Sequence, residues 1–110
     1  MPFESATEKF ETKETELPEE TKRVLLEFIN DRYPKSSVLK INQNMREESL
    51  KALGILESDW DEMDKLLYLK VILNSLRAHL STLDAKNKPE LAGKKARFEN
   101  TYKALSEYLK

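Results

Sequence analysis

The chain has 110 residues, room for one core, and its 19 basic and 20 acidic side chains leave a formal net charge of -1, so no long-range field draws it to nucleic acid or to an anionic membrane. Cysteine is absent, which excludes disulfides, thiolate metal sites and cysteine nucleophiles. Charge is nevertheless polarised: residues 1–20 hold seven Glu against two Lys, and residues 85–110 hold seven basic against three acidic groups, so the two ends attract.

Within residues 1–16, Glu4 to Glu16 form a Thr/Glu/Lys low-complexity run, with Phe3 just before it and Phe10 within it as its large apolar groups. Mutual repulsion among the Glu and the mediocre helix propensity of Thr predict a disordered acidic N-terminal arm, with residues 17–110 as a single helical domain. The N-terminus lacks the basic-then-apolar order of a signal peptide, and no apolar stretch reaches the ~18 residues of a membrane span. A cytoplasmic location without membrane contact is the expectation.

The first helix is expected from about Pro18 to Arg32. Pro suits a first helical position, Glu19 and Glu20 complement the dipole, Val24, Leu25, Phe28, Ile29 and Tyr33 recur at helical spacing, and Pro34 stops the run. Residues 34–44 are the least readable, and Val38, Leu39 and Ile41 are expected to plug the core from a loop or a helical turn. Asn44 with Glu47 reads as a capping box opening a short helix, Met45 to Leu53, which Gly54 ends.

Ser58 with Asp61 is expected to open a long central helix running to Leu83. Its apolar groups make two stripes: Leu66, Leu69, Leu73, Leu76, Leu80 and Leu83, and beside them Trp60, Met63, Leu67 and Val71. So broad an arc requires contact with several other helices. Asp84 to Lys88 connects to a last helix that starts at Pro89 or nearer Lys94 and places Leu91, Phe98, Tyr102, Leu105 and Leu109 on one face. The fold class is all-α, an irregular antiparallel bundle of about four helices around one long central helix.

Several constellations suggest chemistry and yield to simpler readings. Glu57, Asp59, Asp61, Glu62 and Asp64 form an acidic group without the Gly-allowed turn of a calcium loop, and read as carboxylates complementing a helix dipole. The turn KALGILESDW has a helix-turn-helix look, but its second helix would present acids to the DNA backbone. The same LKALGI turn followed by a long apolar helix resembles the later half of a SAM domain over Leu50 to Leu76. SAM domains typically open their last helix with a basic stretch, where this chain has five acids.

His79 is the only histidine and no partner for a catalytic set is evident in the sequence, so it reads as a boundary residue that packs its ring and gives its N–H to a neighbour. Trp60 is read as core more than as interface anchor. No Gly-rich phosphate loop, nucleophile triad or metal-ligand pair is present. The expectation is a non-enzymatic protein-protein interaction module, a small adaptor, regulatory subunit, inhibitor or immunity-type factor, with no cofactor and no metal. It binds through an exposed helix face, with Phe3, Phe10, Lys94, Lys95 and Arg97 as candidate contacts. The alternatives are a nucleic-acid-associated protein using the Lys-rich last helix, and a self-associating assembly protein.

Overall fold

The computed structural model describes residues 17–110, so the expectations for the acidic arm, Phe3 and Phe10 lie outside the described residues. Within them the chain is helical without strands. Four helices pack compactly: α1 Glu19–Arg32, α2 Lys40–Ala52, α3 Glu62–Leu80 and α4 Ala92–Tyr108, the last preceded by the 3-10 turn Pro89–Leu91. No helix among the described residues is long and apolar enough to cross a membrane.

Helix α1 follows its sequence signals. Pro18 stands at the N-cap, two Glu occupy the first turn, and Val24, Leu25, Phe28 and Ile29 are buried on one face. Its C-terminal end is closed from a neighbouring helix: Arg46 donates to the Tyr33 carbonyl at 3.0 Å and to Asn30 Oδ1 at 2.8 Å, a cation placed at the negative end of the dipole.

Helix α2 departs from expectation at its start. It begins at Lys40, five residues before Met45, and Asn44 is an exposed residue inside it instead of its cap. No side chain caps the N-terminal Leu39. Polar groups of the first turn reach back instead, Asn42 Nδ2 to Ser37 Oγ at 3.1 Å and Gln43 Nε2 to the Ser37 carbonyl at 3.1 Å. The expected core plug is also corrected, because Val38, Leu39 and Ile41 are 89%, 59% and 69% exposed. The end of α2 follows the Gly54 signal: Gly54 adopts φ +75, its N–H bonds the Lys51 carbonyl, and the Ile55 N–H bonds the Leu50 carbonyl, which together make a Schellman motif.

Helix α3 is shorter than the sequence implies, Glu62–Leu80 instead of Ser58 to Leu83. Asp61, not Ser58, is the N-cap. Its carboxylate accepts the Asp64 N–H at 2.8 Å while Asp64 accepts the Asp61 N–H at 3.2 Å, an Asp/Asp capping box. Ser58 Oγ accepts the Trp60 N–H at 3.3 Å and so orders the loop ahead of the helix. The α3–α4 connection is held by Asp84, which accepts from Asn87 Nδ2 at 2.6 Å and from the Asn87 N–H at 3.3 Å.

One buried cluster draws on all four helices, with Leu25, Phe28, Ile29, Ala52, Leu69, Ile72, Leu76, Phe98 and Leu105 among its members. Phe28 and Phe98 meet edge to face at 6.0 Å and 87°, which ties α1 to α4 at the centre. Each fully buried Leu, Ile or Phe stabilises the fold by about 1.5–3 kcal/mol relative to exposure. The first apolar stripe is buried or half-buried, whereas the second is exposed along α3 beyond the half-buried Trp60. Leu69, Ile72 and Leu76 are buried, whereas Met63, Leu67 and Val71 are 62%, 54% and 40% exposed.

Candidate functional site

Two surface features are built by the packing, a polar seam between α1, α3 and α4, and an apolar ridge along α3. In the seam, Asp31 of α1 receives two partners from other helices. His79 Nε2 lies 2.6 Å from its Oδ2 and Lys94 Nζ lies 3.0 Å from its Oδ1. One helical turn earlier, Glu27 takes Arg97 in a two-pronged contact, Nη2 to Oε2 at 2.6 Å and Nε to Oε1 at 3.2 Å. The pairs 27 with 97 and 31 with 94 run in opposite chain order, so α1 and α4 lie antiparallel along the seam.

His79 closes the inner side of this seam. Its ring sits 5.4 Å from Phe28 and 6.0 Å from Phe98, and its Nδ1 faces Arg32 Nη1 at 3.4 Å. With Nδ1 accepting from the guanidinium, Nε2 carries the hydrogen and donates it to Asp31, a tautomer assigned from these partners. Burial pushes the Asp31 carboxyl up, but hydrogen bonds from His79 and Lys94 and the nearby positive charge outweigh it, so its pKa falls below the usual carboxylate value. The Arg97 guanidinium is held above its ordinary value by the hydrogen bonds and charge of Glu27.

The sequence offered no acid for His79 because Asp31 lies 48 residues away, and only the α1–α3 packing brings them together. The pair has the composition of a His-Asp dyad, and Phe28 and Phe98 pack against the imidazole ring, so its contacts tie α1, α3 and α4 together.

The basic candidates separate. Lys94 and Arg97 are committed to α1 carboxylates, and Lys95 is half-buried and takes no part in the seam. The acidic group Glu57, Asp59, Asp61, Glu62 and Asp64 is exposed throughout, with Asp61 and Asp64 spent on the α3 cap. Among the described residues no group of three or more His, Cys, Asp or Glu is placed to hold a metal ion.

The ridge is the second feature. Met63, Leu67 and Val71 stand at i, i+4 and i+8 on α3 and form a line of exposed apolar side chains about 12 Å long. A cleft flanks it on each side. The one toward α2 is lined by Glu48, Trp60, Asp64, Leu67, Tyr68 and Val71, an apolar floor with acidic edges. The one toward the end of α4 has a volume near 640 Å³ and is lined by Met63, Leu66, Leu67, Leu109 and the cations Lys70 and Lys110, with Tyr108. The two clefts share Leu67 and differ in sign.

Trp60 belongs to the edge of this surface. It is half-buried, stacks at a tilt on Tyr68 with centroids 5.6 Å apart, and lies 5.9 Å from Lys51 Nζ. It thus packs against the core and also walls the acidic cleft. The ridge itself was written in the second apolar stripe, but periodicity marks apolar positions without saying which of them a neighbour covers.

No protein-family model, curated protein or solved structure matches the chain.

Proposed function

We propose that the chain is a non-enzymatic protein-binding module whose docking surface is the Met63–Leu67–Val71 ridge of α3 with its two flanking clefts. The observation that carries this reading is the exposure of three large apolar side chains in register, on a helix whose neighbouring face buries Leu69, Ile72 and Leu76 in the core. Aligned apolar groups rimmed by charge are the form of surface on which partners seat an apolar face. Charged edges of opposite sign on the two sides would set the orientation of the partner.

The His79–Asp31 pair supports the same reading from the other direction, since it is enclosed by aromatic rings and serves cohesion of the helices. The nucleic-acid alternative draws on Lys94 and Arg97, which any phosphate would have to take from Asp31 and Glu27.

The test is comparative capture from host extract with the wild-type chain and with Leu67→Glu, each shown to fold by circular dichroism. Proteins retained by the first and lost by the second support the docking surface. An identical set retained by both would remove the ridge as the site.

A further inference from the structure

We propose that the turn between α1 and α2 is a membrane-contact tip, in which Val38, Leu39 and Ile41 enter the outer edge of an anionic lipid bilayer while Lys35 and Lys40 beside them meet its headgroups. This surface is separate from the α3 ridge, and the proposal stands apart from the docking reading above.

Exposure is the first observation. Val38, Ile41 and Leu39 are three of the four most exposed large apolar side chains among the described residues, and Val38, at 89%, touches almost nothing. Leu39 has extended backbone, φ -74 and ψ 124, and successive side chains of an extended segment point to opposite sides. Both Val38 and Leu39 are nevertheless exposed. A single protein face covers one side of such a segment, whereas fluid hydrocarbon closes around both.

The cap of α2 supplies the second. Leu39 holds the N-cap position, where Ser, Thr, Asp or Asn would accept a backbone N–H, and its side chain caps nothing. An exposed Leu there costs helix stability and gains no burial within the fold. Local rules of stability are broken in this way where a surface is kept for contact.

Charge names the partner. Residues 32–46 hold two Arg and two Lys and no acidic residue. Lys35 and Lys40 are exposed, and Lys40 stands between Leu39 and Ile41. Arg46 is turned to the Asn30 and Tyr33 oxygens and Arg32 to the His79 ring, so both add positive potential behind the tip. None of the four cations forms an ion pair among the described residues. Of the acids nearest in sequence, Asp31 is held by His79 and Lys94, and Glu47 and Glu48 lie about 9 and about 10.5 Å beyond Ile41 along α2.

The phosphates of a nucleic acid would take the cations and leave the three apolar groups in water. An anionic bilayer takes both, the aliphatic groups at the acyl boundary and the Lys amines at the headgroups, which their long stems reach. Neither net charge nor the length of apolar stretches registers so local a feature, because the attraction acts within a Debye length of the surface.

Flotation of the full chain with vesicles of phosphatidylcholine, with and without phosphatidylserine, tests the proposal. The chain should float with the anionic vesicles and stay behind with the neutral ones. Lys35→Gln with Lys40→Gln should lower partitioning by about 25-fold, roughly five-fold per cation at the surface. Salt at 1 M, with a screening length of about 3 Å, should lower the wild type at least as far. Val38→Ser with Ile41→Ser keeps the charge and should lower partitioning by about ten-fold or more. Leu39→Ser places a preferred residue at the N-cap, so it should melt no lower than the wild type while binding vesicles about ten-fold more weakly, a combination that unfolding does not produce. Leu67→Ser removes apolar surface from the ridge instead and should float like the wild type.

Absence of flotation on anionic vesicles at low salt overturns the proposal. So does binding lost in the Lys variant and kept in the Ser variants, which is adhesion by charge without insertion. An equal loss in Leu67→Ser moves the lipid contact to the ridge. A protein partner lost on Val38→Ser with Ile41→Ser, from a chain that binds no vesicle, assigns the tip to that protein and removes the lipid.

Discussion

Asp31 on α1 is held by two hydrogen-bond donors at once, His79 Nε2 at 2.6 Å and Lys94 Nζ at 3.0 Å, and so joins α1 to both α3 and α4. Because these partners lower its pKa in the folded state below the ordinary 3.8, the carboxylate contributes stability that is present above the unfolded value and is lost as pH falls through the folded value. The thermal midpoint of the wild type should therefore fall as pH drops below about 4, and Asp31→Asn should show a shallower fall across that window. Asp84, lowered by hydrogen bonds from Asn87, supplies a remaining slope that the variant keeps. At neutral pH the substitution should cost about 1–2 kcal/mol, a figure set by charged hydrogen bonds and reduced by the partial exposure of the site. Urea unfolding at pH 7 and pH 3 measures both.

The caps give a second expectation. Removing the α3 cap with Asp61→Ala should destabilise by about 1 kcal/mol, since it strands the Asp64 N–H and breaks the reciprocal box. Asn44→Ala should do the reverse. Asn44 is an exposed residue inside α2, where Ala is the better helix former by up to about 0.7 kcal/mol. Denaturant midpoints of opposite sign are expected; a loss at Asn44 equal to that at Asp61 would mean that α2 begins at Met45.

Why α1 was legible and the start of α2 was not comes down to where the signals reside. For α1 the Pro18 and Pro34 boundaries and the Val24, Leu25, Phe28, Ile29 spacing are local, and the helix lies between them. Asn44 with Glu47 satisfied the same local rule, but Asn42 and Gln43 reach back to Ser37 and extend the helix upstream past it. The seam was illegible for a different reason. Glu27 meets Arg97 across 70 residues and Asp31 meets Lys94 across 63, and no spacing rule joins positions that only tertiary packing brings together.

The two glycines should respond oppositely to Ala. Gly54 has φ +75 and open space around a would-be Cβ, so Gly54→Ala should destabilise by about 1–2 kcal/mol through backbone conformation alone. Gly93 lies in the first turn of α4, and a Cβ there meets only Arg97 Nη1 at an ordinary 3.7 Å. Gly93→Ala should stabilise by about 0.5–1 kcal/mol, and a thermal melt of each variant decides the pair.

The sharpest contrast lies two residues apart on α3, where Leu69 is 3% exposed and Leu67 is 54% exposed. Leu69→Ala opens a cavity where α3 meets the core and should cost about 2–5 kcal/mol in urea unfolding. Leu67→Ala leaves no cavity, because solvent already reaches the side chain, and should stay within about 0.5 kcal/mol of wild type. If Leu67→Ala instead costs as much as Leu69→Ala, then something in the free protein covers the ridge. A ridge that costs nothing to truncate, yet whose alteration to Glu removes a captured partner, has its apolar surface kept for binding.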